Sequence, residues 1–389
     1  MGKSLSGTYA NGYTLTNIAF SPLTVTSTGS ISSTPGGIAL YGASQKGQPN
    51  YHFPWNITNF GNIAAVGTSS TGVLLEGGGT IRNAQAGGTG SILGDIQGIS
   101  VAQLEGTIVN FGVVAALGTK GTGVALHAGG TVTNFGSIGG GQSGVKITGA
   151  SGTVVNYGSI HGGGTILTYG VVLDATTSNS LTNTTTGYIA ATGGVGVFGM
   201  AGPATIVSSG TIQNGIILQH GGNVTNGRSG ATGGLVGSST GIDISGAPGT
   251  VTNYGTVGFN RFGIRLDAGG SVHNAQKSAA ISTGAQGYFG VIIYGRSGTV
   301  TNLGPIVAAG DRWRCRGAAR QWRQCHERRP ECHHRADQGR YLRHGHRDRG
   351  QQCRGHRRQL RHSQRRLRDL SQSRGCGHQR QWRLGHRPV

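Results

Sequence analysis

The residues Gly130–Ile138 read G-T-V-T-N-F-G-S-I, and the phrase returns as G-T-V-V-N-Y-G-S-I at Gly152–Ile160, G-T-V-T-N-Y-G-T-V at Gly249–Val257 and G-T-V-T-N-L-G-P-I at Gly298–Ile306. Looser copies centre on Asn59, Asn83, Asn110, Asn183, Asn226 and Asn274. A second phrase, Gly followed by Val or Ile, opens at Gly37, Gly72, Gly98, Gly123, Gly144, Gly170, Gly196, Gly215, Gly241, Gly263 and Gly290. Its first spacing is 35 residues and the others run from 19 to 27. A unit this short cannot bury its own apolar face, so it must stack on its neighbours, and a period in this range is that of a solenoid.

Within each period the side chains alternate: Val124 and Leu126 with Ala125 and His127, and Val132 with Thr131 and Thr133. Alternation with period two over about five residues is the signature of a strand. Glycine, at 76 of 389 residues, punctuates turns and disfavours helix interiors, while strict collagen triplets are absent. Stacked at about 4.8 Å per coil, such strands find partners above and below and align like residues in columns. The expected fold is therefore all-β, a parallel β-helix of about twelve coils, right-handed by the twist preference of strands and by the resemblance given below. Residues 1–36 are read as an irregular N-terminal coil, 37–310 as the repeat domain and 311–389 as an Arg-rich tail.

The asparagines Asn59, Asn83, Asn110, Asn134, Asn156, Asn183, Asn226, Asn253, Asn274 and Asn302 are read as a structural ladder, each amide bonding to the next coil. Each is also expected to turn the corner with φ > 0, which Asn tolerates better than other non-glycine residues. Phe60, Phe111, Phe135, Tyr157 and Tyr254 are expected to stack beside them, an architectural column set against the alternative of a carbohydrate-binding stripe. The insert Gln45–Trp55 interrupts the period with aromatic residues and proline. Tyr51, Phe53 and Trp55 are candidate binding residues there, since loops tolerate functional side chains; the alternative is that they fold back over the sheet.

The net charge of +21 is unevenly spread. Residues 1–310 carry 10 Lys and Arg against 6 Asp and Glu, whereas 311–389 carry 23 Arg, no Lys, 6 acids and all five cysteines. The tail's ten large apolar side chains offer roughly 20 kcal/mol of burial, against a backbone ordering cost on the order of 80 kcal/mol, so the tail is expected to be disordered. An Arg-rich, Lys-free composition also arises when GC-rich coding sequence is read out of frame. Reverse-translated and read one base later with free third bases, Asp311 onward permits T-G-G-V-A-V-A-L-H-G-S-G-G-N-V-T-N. That run is close to G-V-A-L-H-A-G-G-T-V-T-N at Gly123–Asn134, and its asparagine falls at the codon of Glu327, one period beyond Asn302. A frameshift near codon 310 is the expected origin of the tail, and the chain as written is expected to be poorly soluble because its last coil leaves an unpaired edge. The competing reading is a basic tail that binds nucleic acid or anionic lipid, binding that would vanish on truncation at 310 and weaken steeply with salt. Cys325, His326, Cys332, His333 and His334 lack the spacing of a zinc module, and no metal or cofactor is expected.

Repeats of the form G-V-x-L-x-x-G-G-x-V-T-N-x-G-x-I resemble the β-helical passenger regions of bacterial autotransporters and related large surface adhesins. The resemblance spans about residues 12–310. It implies display at the cell surface or outer membrane, or secretion, with an export signal before the passenger and an outer-membrane β-barrel after it in the parent protein. The first dozen residues, with one Lys and no apolar run, are not read as a signal peptide. The implied role is structural or adhesive, toward a host-cell or glycan ligand, with no nucleic-acid partner and membrane contact only through other parts of the parent protein.

The alternative function is a polysaccharide-active lyase or hydrolase, which needs clustered carboxylates on one face. The repeat region offers Glu76, Asp95, Glu105, Asp174, Asp243 and Asp267. Counted from the phrase glycine, no column places two carboxylates on successive coils, and Asp243 is expected to pair with Arg265 on the next coil. No G-x-S-x-G or phosphate-binding loop is present, so no enzyme activity is expected.

Overall fold

The computed structural model describes residues 2–44, 53–165, 167–230, 233–237, 240–283 and 289–307. Residues 308–389, and with them the Arg-rich tail and its Cys and His residues, lie outside the described residues, as does Tyr51. The described chain is a parallel β-solenoid of three sheets holding 13, 13 and 12 strands. Each coil contributes one strand to each sheet in turn, as Gly130–Asn134, Ser137–Gly140 and Ser143–Gly149 do.

The columns anticipated by the repeat are realised as strand register. In the first sheet Gly106, Gly130 and Gly152 lie over one another, as do Ile108, Val132 and Val154, and Asn110, Asn134 and Asn156. Ile57, Ile81, Ile108, Val132, Val154, Leu181, Ile206, Val224, Val251 and Val272 form an inward column with at most 1% exposure. Ile92, Val114, Ile138 and Ile160 run parallel to it on the second sheet, and Val73, Ile99, Val124 and Val145 on the third. β-branched side chains dominate because their restricted χ1 suits a pleated surface and because like shapes nest at a constant coil spacing.

Glycine makes the coil narrow in two distinct ways. The Gly129–Gly130 corner takes φ of +82° and +125°, a pair that L side chains rarely adopt. At Gly136 the requirement is space, since a Cβ there would lie 2.1 Å from the Gly112 carbonyl oxygen of the coil beneath.

Three expectations need correction. Residues 1–36 hold five strands that already belong to the sheets, beginning with Lys3–Leu5. The phrase at Gly37 is displaced by two residues, because Leu40 pairs with Val73 and so Ala39 takes the place that Gly72 holds one coil on. None of the ladder asparagines has positive φ; among the described residues the non-glycine positions that do are Ser69, Ala84, Leu167 and Asn214. The asparagines close their strands in extended conformation, and their side chains point inward.

Candidate functional site

The asparagine column is the most continuous polar feature inside the solenoid. Asn134 Nδ2 donates to Asn156 Oδ1 at 2.9 Å and to the carbonyls of Gly136 and Ser159 at 3.1 and 3.0 Å, while its Oδ1 accepts from Asn110 Nδ2 at 2.8 Å. The same amide-to-amide bond joins Asn59 to Asn83, Asn83 to Asn110, Asn156 to Asn183, Asn226 to Asn253, Asn253 to Asn274 and Asn274 to Asn302. A carboxamide alone offers two donors and an acceptor at one end of a short side chain, so it can satisfy the turn of its own coil and bond to the next at once. With 0% exposure at Asn59, Asn110, Asn134 and Asn156, this column is structural and unreachable by a ligand.

The ladder is interrupted once between Asn59 and Asn302. Ser208 occupies the column between Asn183 and Asn226, in A-T-I-V-S-S-G-T-I, a copy of the phrase with Ser in place of Asn. Asn183 Nδ2 reaches the Ser208 hydroxyl at 3.2 Å, but that hydroxyl donates to the Gly210 carbonyl, leaving the buried Asn226 Oδ1 without a partner. Ser208→Asn should supply the missing donor and raise stability by about 1 kcal/mol, read as a higher denaturation midpoint at unchanged slope. A fall in the midpoint would show that the Ser208 coil is too tight for the amide.

The aromatic column is shorter than expected. Phe111, Phe135 and Tyr157 stack face to face, with centroids 4.5 and 4.6 Å apart, and the Arg82 guanidinium lies 4.6 Å from the Phe111 centroid. Phe60 and Tyr254 stand apart because the residues after the neighbouring asparagines are Ala84 in one case and Gly227 and Ala275 in the other. A sugar ring stacks on an aromatic face, and here each inner face is already occupied by the next ring.

Of the candidate binding residues in the insert, Trp55 is corrected outright. It is 1% exposed, begins the Trp55–Asn59 strand, pairs with Gly79 and donates from its indole Nε1 to the Ala43 carbonyl at 3.1 Å. The indole fits because Gly42 has no side chain; a Cβ there would lie 2.6 Å from Trp55 Cδ1. Phe53 is half-buried against the core. The other edge of the insert is held by Glu76, whose carboxylate accepts from the Ser44 N–H at 3.1 Å and the Ser44 hydroxyl at 2.8 Å. A hydrogen bond from Tyr41 is the largest influence holding the Glu76 carboxyl below its ordinary range, and burial with the same carboxylate pushes the Tyr41 phenol up to about 12.

Outward chemistry gathers at one place on the third sheet. Asp243 and Arg265 are register partners on successive coils, with Arg265 Nη1 3.5 Å from Asp243 Oδ2, as expected of the pair. Arg265 also turns along its own strand, donating from Nε to Asp267 Oδ1 at 2.8 Å and from Nη2 to Asp267 Oδ2. The guanidinium thus bridges two carboxylates, leaving Asp243 Oδ1 buried and unpartnered. Burial raises the Asp243 pKa, Arg265 offsets part of that rise and Asp267 adds to it. The folded state therefore binds this proton more readily than the unfolded chain. The group's contribution to stability is greatest in acid and is lost as pH rises from the ordinary Asp range through the raised folded pKa. Asp243→Asn should accordingly leave the melting temperature nearly unchanged below about pH 4 and raise it at neutral pH. A lower melting temperature at neutral pH would mean that attraction to Arg265 outweighs burial.

His127 and Lys146 lie on neighbouring coils, and burial followed by the Lys146 charge lowers the imidazole pKa. Among the described residues no three His, Cys, Asp or Glu side chains come together as metal ligands, and no helix is long and apolar enough to cross a membrane. No protein-family model, no curated protein and no solved structure matches the chain.

Proposed function

We propose that the chain is a structural and adhesive surface module, a passenger-like β-solenoid that presents its outer faces and loops for binding at a cell surface. One observation carries this reading. The inward columns repeat from coil to coil, whereas the opposite column of the third sheet, running Ser100, Ala125, Lys146, Val172, Phe198, Ile217, Asp243, Arg265, mixes small, apolar and charged residues; Lys146, Phe198, Ile217, Asp243 and Arg265 reach solvent on it, while Ser100, Ala125 and Val172 are at most 3% exposed. A scaffold requires constancy only where coils touch one another and leaves the outer face free to serve recognition. By the resemblance of the repeats, the parent protein would carry an outer-membrane β-barrel, and the ligand would be a host-cell surface or a glycan.

The test is retention of the purified chain on immobilised neutral and acidic glycans and on fixed host cells. Saturable retention that disappears when the fold is lost supports adhesion; background retention on every surface contradicts it. The second reading, a polysaccharide lyase or hydrolase, is favoured by the Asp243–Arg265–Asp267 cluster, where a carboxyl of raised pKa sits beside a guanidinium. Release of oligosaccharides by the chain, abolished by Asp243→Asn, would establish that reading in place of adhesion.

A further inference from the structure

The two ends of the solenoid are finished differently. At the N-terminal end the inward Leu5 and Leu15 are both 0% exposed, although their strands are the first of their sheets among the described residues. Tyr9, Tyr13 and Phe20 pack against the core there, Tyr9 edge-on to Tyr13 at 5.3 Å, and the Lys3 amine lies 4.4 Å from the Phe20 ring centroid. At the other end the inward Val291, Ile293, Val300 and Ile306 are only partly buried. Val272, one coil earlier in the Val300 column, is 1% exposed. The strands Phe289–Ile293, Gly298–Asn302 and Ile306–Val307 each end their sheet with one edge unpaired among the described residues. Asn302 accepts from Asn274 at 2.8 Å, and its own amide N–H donates to none of the described residues.

We infer that this C-terminal end is an acceptor surface for one more coil of the same repeat, and that the reading frame one base later encodes that coil. The surface specifies its occupant narrowly: an inward β-branched residue over Val300, an asparagine acceptor over Asn302, and a strand parallel to Gly298–Asn302. In the shifted frame the codons from Arg323 to Glu327 permit G-N-V-T-N. Laid on Gly298–Asn302, that run puts Gly on Gly, Val on Val and Asn on Asn, and its asparagine follows Asn302 by 25 residues, within the range of the repeat. The permitted V-A-L-H before it matches the third-sheet run Val124–His127. As written, Arg323–Glu327 reads R-Q-C-H-E, which would place Cys over Val300 and a carboxylate over Asn302. A second copy of the chain is the competing occupant. The covered state of Leu5 and Leu15 disfavours it, because a head-to-tail contact would need the N-terminal end open.

The test compares the chain as it exists with the product of the same gene lacking one base at codon 311, by amide hydrogen exchange across residues 298–307. In the existing chain these amides should exchange at least about ten-fold faster than those of Gly270–Asn274; in the shifted product they should slow to match them. Light scattering should show the shifted product self-associating less. The inference is overturned if exchange at 298–307 is the same in both proteins, or if raising the concentration of the existing chain alone protects these amides, which would identify a second copy as the occupant.

Discussion

Asn134→Leu should lower stability by about 3–5 kcal/mol, although leucine has the same number and branching of side-chain heavy atoms as asparagine. The substitution removes the donor to Asn156 Oδ1 and strips one acceptor from Asn110 Nδ2, with both partners buried. It also deprives the Gly136 and Ser159 carbonyls of a shared donor. Each stranded buried group costs about 1–3 kcal/mol, and the gain in apolar burial does not offset two of them. Asn134→Asp is the sharper variant, since its carboxylate would face Asn156 Oδ1 and two carbonyl oxygens as a fourth acceptor. It should be the less stable of the two at neutral pH and recover part of the loss in acid, when the protonated carboxyl can donate again. A coil touches only its neighbours, so the damage should split the unfolding transition, with the two halves of the solenoid losing strand signal separately. A loss under about 1 kcal/mol for the leucine variant, read from the denaturant midpoint, would remove the ladder from the list of stabilising features.

Gly136→Ala should be comparably severe for a steric reason. The added methyl would sit 2.1 Å from the Gly112 carbonyl oxygen and 2.7 Å from Phe111 backbone atoms, none of them the end of a flexible side chain. The coils must separate there, lengthening the bonds that Phe135 and Gly136 N–H groups make to the Asn110 carbonyl at 2.7 and 3.1 Å. A loss of about 3 kcal/mol or more is expected. Gly139→Ala, three residues away, is the control: its methyl meets only His161 Nδ1 at 3.6 Å, and its stability should stay within about 0.5 kcal/mol of the parent. Equal effects from the two alanines would contradict the close coil contact at Gly136.

Both effects rest on features readable from the repeat, although the reasons were not. The period placed Asn over Asn and Gly over Gly correctly because a solenoid converts sequence spacing into spatial neighbourhood. The expected left-handed corner is absent because burial of the side chain outweighs the conformational preference of an isolated turn: Asn134 is extended and needed inside. Trp55 looked like a loop aromatic because the insert precedes it. Yet W-N-I-T-N-F-G-N-I is the repeat phrase with Trp in the first glycine's place, and its register with Gly79 follows from that alignment. The coil at Ser208 is marked by the second phrase at Gly196 and Gly215, while its copy of the first phrase keeps Thr205, Ile206 and Gly210 but carries Ser in place of Asn. The Asp243–Arg265 contact was legible as a column neighbour. The turn of Arg265 onto Asp267 was not, because rotamer choice on an outer face is not written in spacing.

Register is the claim beneath all of this, and paired cysteines test it directly. Thr131 and Thr153 are Cα partners on the first sheet, both half-buried on its outer face. At a strand spacing of about 4.8 Å their Cα atoms fall within the disulfide range of about 4.4–6.8 Å. In a background with the five native cysteines replaced, Thr131→Cys combined with Thr153→Cys should close under mild oxidation. Thr131→Cys combined with Val155→Cys, displaced by two residues along the neighbouring strand, should stay reduced. Closure of the displaced pair at the same rate, or failure of the aligned pair in the folded protein, would mean that the coils do not lie over one another as described.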